Sequence, residues 1–471
     1  MRKLSIGLCS VVALATLNAC DFEIGDLNNP SLDELEDSPT LASISAACAG
    51  IMAGHRGNLA AANGYISLLG ILGRESYNFD GADPRYFGEM LTGALAKGSP
   101  FGGNFWAGPY ANIRLANIVI KGVDKVAAYS AEERSAIKGY ARTFIAMDLL
   151  RVINTRDTIG AVVDTDKELG APLAPIVDKP VVYAAINSYL DMAKADLMGG
   201  GMAFPFTVPS GFSAFGTPAS FLRFNRAMRA RVALYADDAA GALTALGESF
   251  LKADLPAGMQ LTLADLNIGP TMVFSANAND TANGLTNRNI WAHPDLVIDA
   301  KMNGSATDLR LARKTFVPTT APTSGTAGGV SSNRKFAALS TSSTATAITP
   351  TSPIALIRNE ELILLRAEAR FKTGAKALAV QDLNVVRTLS GGLAALAEDI
   401  PDAEVTNEIL YNRRYSLMFE GGHRWIDARR FNRVADLKPA LPNHVVNLRF
   451  PIPQAECDAR KNEPKCNITS Q

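Results

Sequence analysis

The chain has 471 residues, with 46 Lys plus Arg against 46 Asp plus Glu, so its formal net charge is zero. A neutral field excludes nucleic acid and an acidic lipid surface as electrostatic partners, because both select a basic excess. The length suffices for one large helical domain or a few ordinary ones, and past the first twenty residues no apolar run reaches the roughly 18 residues that a membrane-spanning helix needs.

The chain opens with MRKLSIGLCSVVALATLNAC: a basic start at Arg2 and Lys3, an apolar stretch over residues 6–17, then Leu17-Asn18-Ala19-Cys20. This order reads as an export signal. Its ending resembles the bacterial lipobox, which implies cleavage after residue 19 and a lipid on the Cys20 thiol, so that membrane attachment is by acyl chains alone. Of the five cysteines, Cys9 leaves with the signal and Cys20 takes lipid, which leaves Cys48, Cys457 and Cys466. In an oxidising compartment Cys457 and Cys466 are placed to close a small loop; two free thiols, or a bridge through Cys48, stay open as alternatives.

Residues 20–40 are acidic and polar with Pro30 and Pro39 as breakers, and read as a tether. Asp21, Glu23 and Asp26 resemble the surface-export signals of Bacteroidetes-type lipoproteins, which implies outward display on the outer membrane. From residue 41 to 471 the chain reads as one helical domain. Helices are predicted over 42–54, 109–125, 131–154 behind a Ser130–Glu133 capping box, 180–198, 217–236, 239–252, 355–373, 375–389 and 404–420. Within 131–154, Ile137, Ala141, Phe144 and Asp148 share a face, and Gly139 and Ala146 let a neighbouring helix come close. The pair 355–389 is tetratricopeptide-like: Leu362, Leu365 and Ala369 form one apolar face, Gly374 ends the helix, and Ala375, Leu378, Ala379, Leu383 and Val386 face back. The expected class is therefore all-α, built from tetratricopeptide-like hairpins. Residues 255–354 are rich in Ser, Thr, Gly, Asn and Pro and read as long surface loops, with 319–353 disordered.

The four histidines fall at no metal-ligand spacing, and no nucleophile elbow, P-loop or dinucleotide fingerprint is present. No metal, cofactor or catalytic residue is expected. The adjacent acids Glu360–Glu361 and Asp237–Asp238 read as solvated or capping positions rather than a glycosidase pair across a cleft. The densest polar cluster, residues 412–430, reads as an ion-pair network: Arg413 and Glu420 share a helix face, while Arg424 with Asp427 and Asp427 with Arg430 are three apart. Trp425 and Trp106 read as core.

The blocks RNEELILLRAEARFKTG, ALAVQDLNVVR, RRYSLMFEGGHRWIDARRF and FPIPQAECDARKN resemble, in order and spacing, the C-terminal half of SusD/RagB-family outer-membrane lipoproteins. FWAGPYANIRLANIVI, ERSAIKGYARTFIAMDLLR and LRFNRAMRARVALYADD extend the resemblance toward the N-terminus. It implies a helical scaffold carrying a loop-rich face. It also implies a role in capturing oligosaccharide or another nutrient and passing it, unhydrolysed, to a SusC-type TonB-dependent transporter. An exported helical glycoside hydrolase and a periplasmic tetratricopeptide scaffold that binds proteins are the alternatives. A sugar site needs a flat apolar platform bracketed by polar groups. Of the three tryptophans, Trp291 alone lies among loops, beside Arg288, Asn289 and His293. A second candidate is the loop after LLGILG, with Arg74, Tyr77, Asn78 and Asp80.

Overall fold

In the computed structural model, residues 32–471 are described except 169, 257 and 343. The signal, Cys20 and the first part of the tether lie outside the described residues. The fold is all-α, with short two-stranded ladders between helices. Its helical series starts with α1 (Leu32–Asp37), α2 (Leu41–Arg56), α3 (Tyr65–Leu72), α4 (Ala107–Gly122) and α5 (Ala131–Arg156). It continues with α6 (Lys179–Met198), α7 (Pro218–Tyr235), α8 (Ala239–Gly247), α9 (Asn359–Lys372), α10 (Lys376–Leu389), α11 (Asp402–Ser416) and α12 (His423–Arg430).

Local chemistry places several of the starts. Thr40 with Ser43, Ser130 with Glu133, and Thr217 with Ser220 form capping boxes, and Pro218 opens α7 where its missing N–H costs nothing. α4 packs on α2, from α5 to α9 each helix packs against the one before it, and α9, α10 and α11 pack on one another; α12 then returns to α3 and joins the end of the chain to its beginning. The C-terminal half of α5 is buried on every side, so its polar residues are bonded internally. Asp148 accepts from His55 Nδ1 at 2.7 Å and from Asn112 at 2.6 Å, tying α2, α4 and α5 together. Cys457 and Cys466 are joined by a disulfide, and Cys48 is a buried free thiol.

Several expectations are corrected. Residues 32–37 belong to the folded body rather than the tether: α1 packs on α4, Leu35 is buried, and its carbonyl lies where a Cβ on Gly122 would come within 2.9 Å. The described residues of the run 319–353 are folded onto the body. The run forms the hairpin Gly325–Ala327 with Val330–Ser332, turned at left-handed Gly328 and Gly329, and Lys335–Phe336 pairs with Thr315–Phe316. Burial of Val330 and Phe336 supplies the apolar anchor that its polar composition hides. Finally, the α9 face that meets α10 is Ile363, Leu364 and Ala367, against Val380, Leu383 and Val386, whereas Leu362, Leu365 and Ala369 enter the main core. A helix buried all round has no single apolar stripe to read, and Leu378, expected inside, is exposed. The helix expected from 355 starts at Asn359 because Ile354–Ala355 is a strand paired with Thr271–Met272.

Candidate functional site

Chain reversal after α3 joins the two stretches singled out in the sequence. Gly73 ends the helix, Arg74 takes a left-handed φ of 55°, and the chain runs into β1 (Ser76–Asn78), which pairs antiparallel with β2 (Ile290–Ala292). Tyr77 stands opposite Trp291. His293 Nδ1 accepts from the Asp295 amide at 3.2 Å, which leaves its Nε2–H to donate to the Tyr77 hydroxyl at 2.7 Å. Burial, aided by the charges of Arg424 and Arg74, lowers the His293 pKa to about 3, so the ring is neutral.

The expectation of an open platform at Trp291 is corrected by burial. Trp291 is 2% exposed, and Arg74, Tyr77, Asn78 and His293 are buried with it. Lys335 Nζ lies 3.5 Å from the indole centroid and donates to the Ile290 carbonyl at 2.7 Å. Gly325 packs so tightly that a Cβ there would come 2.5 Å from the indole nitrogen and 2.4 Å from the Phe79 ring. Packing this close leaves no room for a pyranose. At the outer end of the ladder, Arg288 is exposed, Asn289 and Asp80 are half-buried, and Asp80 caps a turn by accepting from the Ala82 amide at 3.1 Å.

The inner end of the ladder leads to an open cleft of about 370 Å³. Asn407, Tyr411 and Arg414 line it from α11, Arg424 from α12, and Lys301 and Asp436 from the flanking loops. The Tyr411 hydroxyl donates to Asp308 at 2.9 Å, which fixes the ring beside Leu410 and Leu437. Arg424 donates to the backbone carbonyls of Arg74 at 3.1 Å and Asp436 at 3.2 Å. Burial and the neighbouring Arg414 lower its pKa to about 9, so it stays charged at neutral pH. Arg414 donates to Asp299 at 2.7 Å, while its Nε and one Nη meet no acceptor. Glu75, next to Arg74, is buried with no well-formed hydrogen bond to either carboxyl oxygen; burial pushes its pKa up to about 7 against the pull of Arg424, Arg414 and Lys314.

The cluster 412–430 thus divides by helix face. Arg413 pairs with Asp427 at 2.6 Å, Arg430 with Asp427 at 2.8 Å, and Trp425 donates to the Asn447 carbonyl, all buried as a structural lock. Two pairings expected there are not formed. α11 stops at Ser416, so Glu420 turns to Arg358 at 2.9 Å and to Lys314 instead of Arg413, and Arg424 faces the cleft instead of Asp427. Sequence reasoning missed Asn407, Tyr411 and Arg414 as lining residues. Their spacing of four and three was the available signal, since it puts them on the helix face opposite buried Val405, Ile409 and Asn412.

Comparison with known proteins gives a consistent result. A family model described as the SusD family matches residues 270–465. Solved structures share the fold: a SusD-like carbohydrate-binding protein from Bacteroides fragilis has 14% identity and a TM-score of 0.66, over 89% of this chain and 98% of that one. A SusD superfamily protein from Bacteroides thetaiotaomicron has 18% identity and a TM-score of 0.63, over 92% and 100%. NanU of B. fragilis has 15% identity and a TM-score of 0.63, over 94% and 99%. No curated protein matches by sequence.

Proposed function

With residues 270–465 in the SusD family and the whole described chain in the fold of SusD superfamily proteins, we propose that this protein is a non-catalytic, glycan-binding nutrient receptor. It works at the outer membrane, lipid-anchored at Cys20 and facing outward, and hands its ligand to a SusC-type TonB-dependent transporter. The observation that carries the reading is the open cleft, in which the Tyr411 ring stands beside forked and amide donors at Arg414, Arg424 and Asn407. That combination suits a polyhydroxylated ring, whose faces are apolar and whose rim is polar. The fragilis structure described as carbohydrate-binding supports the ligand class.

Binding without hydrolysis is favoured by the state of the cleft carboxylates. Asp427 is engaged by Arg413 and Arg430, Asp436 lies 2.8 Å from Arg433, and Glu404 lies 3.7 Å from Lys301. A glycosidase needs one carboxyl kept protonated in an apolar niche opposite a second, and these are each held by a cation.

The test is calorimetric titration of the purified chain with a panel of oligosaccharides. Tyr411→Ala should weaken the ligand found by about 1–3 kcal/mol while the protein stays folded. Binding that is indifferent to Tyr411, or no binding by any sugar in the panel, rejects the reading. Delivery is tested separately: gentle detergent extraction of native membranes should recover a complex with a large barrel protein, and recovery of the lipoprotein alone counts against it.

A further inference from the structure

The charge ledger of the cleft leaves one cation over. Lys301 is held by Glu408 and Glu404, Arg414 by Asp299, and Arg433 by Asp436, while Asp427 is already shared between two buried arginines. Arg424 has no carboxylate within ion-pair distance among the described residues; both of its hydrogen bonds go to backbone carbonyls, which carry no counter-charge. Asp295, Asp299 and Glu75 act on it only at longer range. A guanidinium carries five N–H donors and no acceptor, so after two bonds Arg424 still has about three to offer. Hydroxyls both give and take hydrogen bonds, whereas a carboxylate only accepts, and it matches a planar fork through two parallel bonds.

We propose that the cleft takes an acidic sugar, a hexuronate or similar carboxylate-bearing residue of an oligosaccharide, with the carboxylate on Arg424 and the ring against Tyr411. This rests on the reading of the cleft as the sugar site. It assigns the ligand class within that reading, and it accounts for a cation left uncompensated in a chain whose other cleft charges are paired.

The experiment titrates the full chain with oligomers of glucuronate, galacturonate and mannuronate, each beside its neutral parent sugar, at low and at roughly 0.5 M salt, where screening shortens to a few ångströms. One acid should bind at least about tenfold more tightly than its parent, as a charge-assisted pair allows, and that advantage should shrink at high salt. Arg424→Gln should erase the difference by weakening the acid far more than the neutral parent, which loses only a donor to its hydroxyls, and Arg424→Lys should restore part of it, because the charge returns without the fork. Thermal melting confirms that each variant is folded; if Arg424→Gln does not fold, the salt dependence and Arg424→Lys decide. Neutral oligomers binding as well as or better than the acids overturns the acidic-sugar assignment and leaves the receptor reading standing. No binding by any oligomer, acidic or neutral, overturns both.

Discussion

The β1–β2 ladder and the α11–α12 cleft show how poorly residue type alone marks a binding site. The ladder holds Trp291, Tyr77 and His293, the richest aromatic grouping in the loop region, yet every one of these rings is buried and bonded or packed. The cleft is open and contains a single aromatic ring among charged and amide groups. An aromatic side chain gains most when both faces are covered by its own protein, so a tryptophan is drawn inward unless something holds it out. Tyr411 is only half-buried at the cleft wall, its hydroxyl anchored on the buried Asp308. The ladder is the frame that positions the cleft, as Arg424 docks on the Arg74 carbonyl at its inner end.

Four measurements put this contrast at risk. The largest effect is expected for Trp291→Ala, which should destabilise the protein by about 3–5 kcal/mol in urea unfolding while ligand affinity of the folded fraction is unchanged. Lost affinity at constant stability would instead make the ladder the site.

Next is the pH dependence set by Glu75. Its carboxyl is raised from 4.5 to about 7, so between those values the folded protein holds a proton that the unfolded chain has released. The stabilisation is fully present below 4.5 and is lost as pH rises through 7, an effect on the order of 3 kcal/mol. His293 acts in the opposite sense, since a ring lowered to about 3 gains stability as pH rises toward its ordinary value of 6.5. The readout is therefore the difference between Glu75→Gln and the parent chain. The variant should be the more stable at pH 8, with that advantage gone near pH 4.5, and a difference flat with pH would show that Glu75 ionises as an ordinary carboxylate.

Gly325→Ala should cost about 1–3 kcal/mol, because its Cβ would meet the indole and the Phe79 ring; an unaffected melting temperature would mean the hairpin rests loosely on the ladder. Smallest is Arg433→Ala at the rim of the cleft, where the half-exposed pair with Asp436 is worth less than about 1 kcal/mol. A larger loss there would place the rim in the structural lock.

Much of the helical scaffold was legible in the sequence, because helix starts are written locally. The capping box at Ser130 acts within one turn, and the helix it predicts starts at Ala131, while the helix predicted from 217 starts at Pro218. The run 319–353 was misread because its composition is polar while its anchors, Val330 and Phe336, are sparse. At the site, the arginine cluster was recognised as a network, but α11 places Arg413 in the lock and its neighbour Arg414 in the cleft wall. A step of one residue turns a helix by about 100°, so adjacent residues of one type face different surroundings.

The helical class and the order of the elements follow from the sequence alone, as does the resemblance to SusD/RagB-family proteins. Each depends on residues close together along the chain. That Trp291 closes over while Arg424 stays open was settled only by tertiary packing. Tyr77 and Trp291 meet across a ladder from strands distant in sequence, and Asp299, Asp427 and Asp436 pair with cations other than Arg424. Burial and charge compensation are properties of what surrounds a side chain, and folding alone brings that surrounding together.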